Sequence, residues 1–166
     1  MKATTSLPAL LLLTACAASA RSPEPPVPPP AVIAPMPQPY QQPTRILDRA
    51  AAARLLANKG VTLQWLDWNT RGTATVTRNG EVWHLRAAQA QAGGPGRLWL
   101  DGDVTEIGAD YFTFEGTIRI TDTPDAGRAC EKRKTWHFAV TQNRRYWRLR
   151  EFEWCDDLTD YVDIYF

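Results

Sequence analysis

Charge of one sign is what this chain lacks most: its 19 Lys and Arg are offset by 18 Asp and Glu, leaving a formal net charge of +1. Without a strong field of either sign, nucleic acid is excluded as the main partner. Histidine and cysteine are scarce, at two and three residues. Neither His84 nor His137 belongs to a pattern that includes a Ser or Cys nucleophile. There is no Cys-x-x-Cys redox pair, and no Cys has a second Cys or a His at zinc-ligand spacing. No catalytic residue, metal or cofactor is therefore expected. A long apolar run is also missing, because the stretch Leu7 to Leu13 is far too short to cross a bilayer as a permanent helix. Hydrophobic residues nonetheless make up 44% of the chain, with seven Trp, enough to build a core without a metal to hold it.

The N-terminus reads as Lys2, a short polar stretch, the apolar run, and then Leu13-Thr14-Ala15-Cys16. This resembles the lipobox of bacterial lipoproteins. The resemblance implies that residues 1–15 are a signal peptide and that Cys16 is acylated, anchoring the chain to a membrane. Cleavage after Ala18-Ser19-Ala20 is the alternative, and would release a soluble protein. Ala17, rather than an Asp, follows the Cys; in enteric bacteria this implies the outer membrane, with the domain in the periplasm or at the cell surface. With Cys16 given to lipid, Cys130 and Cys155 remain as one pair. In an exported protein such a pair predicts a disulfide.

Residues 16–43 are rich in proline, as in Pro25-Pro26-Val27-Pro28-Pro29-Pro30, and so form neither helix nor sheet. They read as an extended tether, with a docking ligand for another protein as the alternative. Residues 44–166 are left as one domain of ordinary size.

Thr44 is placed as the cap of a helix running to about Lys59, with Ile46, Leu47, Ala50, Ala53, Leu56 and Ala57 on one side and Gly60 as its stop. Beyond Gly60 the apolar period becomes two. Strands are predicted at 61–68, 73–78, 81–90, 97–107, 111–121, 133–142, 145–154 and 161–166. A two-residue turn at Asn79-Gly80 would set Val76 opposite Trp83 and Ala74 opposite Leu85. A loop at Gly108-Ala109-Asp110 sets Val104 opposite Phe114, Leu100 opposite Ile118 and Leu98 opposite Ile120, with Gly102 facing Gly116. A turn at Asn143-Arg144 sets Val140 opposite Trp147 and Phe138 opposite Leu149. A one-residue bulge near Arg150 and Glu151 would then bring Phe152 opposite Trp136 and Trp154 opposite Lys134. That register carries Cys155 to within reach of Cys130.

Eight strands joined by short connections, with no crossover helices, predict a mainly β fold. The expectation is an antiparallel meander closed into a small barrel, with one N-terminal helix and one disulfide. An open sheet packed on the helix is the alternative. Trp83, Leu85, Leu98, Leu100, Phe112, Phe114, Ile118, Trp136, Phe138, Trp147, Leu149 and Phe152 are expected inside. If all point inward, they nearly fill such a barrel.

Three polar groupings invite a functional reading. Asp101, Asp103 and Glu106 cluster on one strand, but they alternate with Leu100 and Val104 as solvent-facing residues should. Asp156, Asp157 and Asp160 read as solvated turn residues without the glycine spacing of a calcium loop. Arg119, His137, Arg148 and Arg150 fall on the polar side of neighbouring strands. They are the candidate binding residues, forming a cationic patch for a carboxylate, a phosphate or a protein partner. The alternative is an ordinary charged face balanced by Glu115 and nearby acids.

Lipobox, spacer, compact meander and single disulfide together resemble the calycin-type envelope proteins, which include lipocalins and small barrel inhibitors. The first strand, Val61-Thr62-Leu63-Gln64-Trp65 after Gly60, departs from the lipocalin Gly-x-Trp start. No functional residue is carried over. The expected function is a non-enzymatic, inhibitor-like module of the cell envelope that binds a protein or cell-wall partner. A small-ligand barrel and an envelope hydrolase are the alternatives.

Overall fold

The computed structural model describes residues 41–166. The expected signal segment, the expected lipidation site Cys16 and the expected tether up to residue 40 lie outside the described residues. The elements in order are β1 (Arg45–Ile46), α1 (Arg49–Leu56), β2 (Val61–Leu63), β3 (Thr73–Asn79), β4 (Val82–Ala90), β5 (Arg97–Ile107), β6 (Tyr111–Thr121), β7 (Ala129–Ala139), β8 (Tyr146–Leu149) and β9 (Val162–Tyr165).

The meander β3 to β9 runs antiparallel, with each strand beside its predecessor, and β2 returns to pair with β9, giving the order β2-β9-β8-β7-β6-β5-β4-β3. The two ends of this order meet through Val61 and Gly72, whose amides and carbonyls exchange hydrogen bonds of 3.2 and 2.8 Å. The barrel is thus nearly closed. A Cβ at Gly72 would lie 2.1 Å from the Ala88 carbonyl oxygen, so only glycine lets the seam come this close. Gln89 completes the join from inside. Its buried amide accepts from the Leu63 N–H at 2.6 Å and donates to the Asp67 and Thr70 carbonyls at 2.9 and 2.8 Å.

The core consists of the inward residues of the alternating strands. Leu85, Leu100, Phe112, Phe114, Ile118, Trp136, Phe138, Trp147 and Leu149 have no exposed surface, and Leu98 and Trp83 keep only 1% and 6%. Burial of each large apolar side chain contributes about 1.5–3 kcal/mol. Phe112 stacks on Phe138 at 4.8 Å between centroids, and Trp147 meets Phe112 edge-on at 5.6 Å. Phe152 is the exception to the expected list. It is half-buried on the outside, edge-on to Tyr161 at 5.4 Å.

That exception has a local cause. The predicted register Phe138–Leu149 is present, but β8 ends at Leu149 instead of continuing through a bulge. The Glu151 carboxylate accepts from the His137 N–H at 3.1 Å, in place of the backbone carbonyl that a continuing ladder needs. The chain therefore leaves the sheet after Arg150, and Trp154 reaches Trp136 edge-on at 5.2 Å rather than standing opposite Lys134. Lys134 covers the Trp136 ring instead, at 4.5 Å. Cys155 still meets Cys130 in a disulfide with a Cα separation of 6.0 Å. Cys130→Ser is expected to lower stability by about 2–4 kcal/mol in oxidising buffer and by little under reductant. Thermal melts in both buffers check this, and equal losses would contradict it.

Three other local expectations need correction. The helix begins at Arg49, capped by the Asp48 carboxylate, which accepts from the Ala51 N–H at 2.6 Å. Thr44 has a different role. It is buried, and its hydroxyl donates to the Val104 carbonyl at 2.7 Å and accepts from the Trp83 N–H at 2.8 Å. This threads the incoming chain between β4 and β5, so that β1 pairs in parallel with the end of β5. In the β3–β4 hairpin Asn79 pairs with Val82 and the turn is Gly80-Glu81, which sets Val76 opposite Leu85 and Arg78 opposite Trp83. Gly80 takes the positive φ, 63°, at the first turn position, as a type II′ turn requires. Because the register moved by two residues, every side chain kept its face.

The β5–β6 pairs, including Gly102 opposite Gly116, match the prediction. A bulge between Val104 and Glu106 adjusts the loop end. A Cβ on Gly102 would come within 2.3 Å of the Glu115 carbonyl oxygen, which is why the close approach needs glycine there.

Candidate functional site

On β8, Trp147 and Leu149 point into the barrel while Tyr146 and Arg148 stand on its outer wall. Opposite Arg148 on β9 is Asp163, fully buried although it too is on the outer side. The pair is bidentate, with Arg148 Nε and Nη2 each donating to a carboxylate oxygen at 2.7 Å. The hydrogen bond that Arg148 donates to Asp163 holds its guanidinium in the charged form above the ordinary range. Burial pushes the Asp163 carboxyl up from its usual value, while Arg148 pulls it back. Arg148 also lies over the rings of Tyr161 at 4.1 Å and Tyr146 at 5.1 Å, which hold it against the outer wall.

Beside this pair opens a cleft of about 430 Å³ lined by Thr141, Gln142, Arg144, Arg148, Arg150, Phe152 and Tyr161. Arg150 is exposed and lies over the Phe152 ring at 5.0 Å. Arg144 comes from the β7–β8 turn, where Gln142 and Asn143 both hold φ of 55° and the Arg144 N–H donates to the Thr141 carbonyl at 3.1 Å. Two consecutive non-glycine residues in the left-handed region store strain at the rim of this cleft. The turn therefore centres on Gln142-Asn143, one residue earlier than predicted.

Arg148 and Arg150 are thus brought together, and the other two candidates are not. The His137 carbonyl accepts from the Arg150 N–H at 2.8 Å, but its exposed ring packs on Tyr111 at 5.3 Å and does not line the cleft. Arg119 lies over Trp99 at 5.6 Å and faces Glu131 at 4.0 Å. It is six residues along β6 from Thr113, the partner of His137, which is about 20 Å at strand rise.

The carboxylates divide by burial. Asp101 pairs with Arg86 at 2.8 Å, Asp103 with His84 at 2.8 Å, and Glu106 with Arg45 at 2.6 Å, all along the outer face of β4 and β5. The hydrogen bond to Glu106 raises the Tyr111 phenol above its ordinary value. In the last turn, the expectation of solvated acids holds for Asp156 and Asp157 but fails for Asp160, which is fully buried. Arg128, also buried, makes five hydrogen bonds of 2.8 to 3.0 Å to both Asp156 oxygens, both Asp160 oxygens and the Thr123 carbonyl. The hydrogen bond from Arg128 draws the Asp156 carboxyl below the usual range. The Cys130 and Cys155 sulfurs and an Asp156 oxygen come within 4.8 Å of one another. Joined in a disulfide, the two sulfurs offer no thiolate to a metal.

Sequence reading missed Arg144 because it assigned that residue to a turn. The signal was present, since four of the seven residues 144–150 are arginine. Which of them faces a common space depends on the turn, and periodicity does not fix that.

No helix among the described residues is long and apolar enough to cross a membrane. No solved structure matches the chain. The chain is 32% identical over 115 residues to "Uncharacterized protein PM1083" of Pasteurella multocida (strain Pm70), a match covering 68% of this chain and 74% of that protein. The profile of the PM1083 family matches residues 43–166, the barrel with its helix and disulfide, and the chain belongs to that family.

Proposed function

We propose that this protein is a lipid-anchored module of the cell envelope that binds an anionic protein or cell-wall partner, without catalysis, at the outer cleft of Arg144, Arg148 and Arg150. The observation that carries the reading is a contrast between inside and outside. The barrel interior is filled: Phe114 and Trp147 have no exposed surface and Trp83 only 6%, so the aromatic residues a ligand chamber would use are packed among other side chains. The outer wall, by contrast, offers two exposed arginines, Arg144 and Arg150, beside the Asp163-paired Arg148 and backed by Phe152 and Tyr161, around a cleft of about 430 Å³. Guanidinium groups held over aromatic rings suit carboxylate or phosphate recognition at a partner surface. The Leu13–Cys16 motif and the Cys130–Cys155 pair support an exported, anchored chain.

Full-length protein is expected to partition into the detergent phase and Cys16→Ala into the aqueous phase. Arg144→Ala/Arg150→Ala should weaken retention on purified cell-wall material, or cross-linking to envelope partners in intact cells, by about tenfold or more, as expected for losing charge-assisted hydrogen bonds. Arg148 is left intact in that variant, since its loss would strand the buried Asp163. Undiminished capture by the double variant would refute the cleft as the binding surface.

A further inference from the structure

A second cleft, of about 480 Å³, lies on the other side of Arg144 and is lined by Lys59, Arg71, Asn143, Arg144, Arg145, Tyr146, Tyr165 and Phe166. We infer that Lys59, Arg71, Arg144 and Arg145 form a binding site for a phosphate group. Four cations line this space, and no Asp or Glu does. All four residues are exposed, and among the described residues none has a carboxylate oxygen within 4.0 Å. This contrasts with Arg86, Arg119, Arg128, Arg133 and Arg148, each of which has an acidic partner.

The four converge from three separate parts of the chain. Lys59 follows α1, and its N–H donates to the Tyr165 carbonyl at 2.7 Å. Arg71 precedes the seam residue Gly72 and lies over the Tyr165 ring at 4.0 Å. Arg144 donates to the Tyr146 hydroxyl, and the Arg145 carbonyl accepts from the Phe166 N–H at 3.2 Å. Arg71 and Arg144 are thus positioned by aromatic groups rather than by anions, which leaves guanidinium donors and the full positive charge directed at the cleft. Like charges are gathered here with no carboxylate in contact among the described residues, and a bound anion relieves their repulsion. A phosphate suits the set better than a single carboxylate. Its three terminal oxygens and near-double charge match several forked donors, whereas a carboxylate brings two oxygens and a single charge. Tyr146 and Tyr165, with centroids 5.3 Å apart, supply an apolar wall for the group that carries the phosphate.

This inference rests on the proposed anion-binding reading only through Arg144, which lines both clefts, and its test uses residues of the second cleft alone. Two sources share the chemistry: a soluble phosphorylated compound and a phospholipid headgroup. Pyrophosphate is titrated calorimetrically into disulfide-intact Cys16→Ala protein, and flotation of the same protein is measured with vesicles of phosphatidylcholine alone or with phosphatidic acid added. Arg71→Ala/Arg145→Ala should weaken pyrophosphate binding at least tenfold with an unchanged melting temperature, while Arg150→Ala should leave it unchanged. Binding of pyrophosphate without flotation assigns the site to a soluble phosphate. Flotation with phosphatidic acid that is lost in Arg71→Ala/Arg145→Ala assigns it to a headgroup. Absence of both, or equal binding by wild type and Arg71→Ala/Arg145→Ala, overturns the inference and leaves the Arg144–Arg150 cleft untouched.

Discussion

Arg128→Met is expected to lower the unfolding free energy by about 3–5 kcal/mol, because it leaves the buried Asp160 carboxylate without its cation. Arg128 sits in the loop between β6 and β7 with 4% of its side chain exposed, and Asp160, just before β9, has none exposed. The guanidinium ties three chain segments together: its own loop through the Thr123 carbonyl, the Cys155 turn through Asp156, and the approach to β9 through Asp160. Asp160 would keep one donor, the Trp65 indole N–H at 3.0 Å, which is too little to hold a dry negative charge. The diagnostic variant is Arg128→Met/Asp160→Asn. Asparagine can still accept from Trp65 but carries no charge, so the double variant should recover a large part of the loss. Chemical denaturation of both variants measures this. A double variant no more stable than Arg128→Met alone would mean that packing, not the stranded charge, sets the cost.

Trp136→Ala should be comparably damaging, at about 3–5 kcal/mol, through the cavity it opens in a filled barrel. Trp136 has no exposed surface and its indole N–H donates to the Gly116 carbonyl at 2.9 Å. That carbonyl is at the Gly102–Gly116 close approach, so the indole also props the point where β5 and β6 come nearest. Trp154, packed edge-on against Trp136, would lose its main neighbour and with it the anchorage of the segment that ends in Cys155. Trp136→Phe should cost less, about 1–3 kcal/mol, for the lost hydrogen bond and the smaller void. Trp147 offers the comparison, because its buried indole nitrogen finds no partner among the described residues, so Trp147→Phe removes no hydrogen bond among them. Equal losses for Trp136→Phe and Trp147→Phe would show that the bond to Gly116 contributes nothing.

Strands were legible wherever apolar residues alternate over a long stretch. β5 and β6 were placed to the residue, and their register followed from a short loop joining two strictly alternating sequences. The meander and the inward faces of the strands came from the same periodicity, whereas the pairing of Cys130 with Cys155 came from the cysteine count once Cys16 is given to lipid. Where one side chain intervenes in the backbone ladder, alternation misleads. The segment 150–154 keeps a strand-like pattern, yet Glu151 caps the His137 N–H and ends β8. Thr44 has the chemistry of a helix cap, but a buried crossing between β4 and β5 uses its hydroxyl instead.

The sequence by itself determined the class of the fold, because a period of two admits only one choice of buried face and short loops admit only neighbouring strands. It also identified Arg148 and Arg150 as residues on one outer wall. Only the tertiary structure decided that the barrel nearly closes, since closure rests on Gly72 and Gln89, two residues with no periodic signature that matter through what faces them. Tertiary structure likewise sorted the charges. Arg128 and Arg148 are committed to buried carboxylates, while Lys59, Arg71, Arg144 and Arg145 converge with none. Composition counts such charges alike, and the difference comes from distance and burial, which exist only once residues far apart in the chain have met.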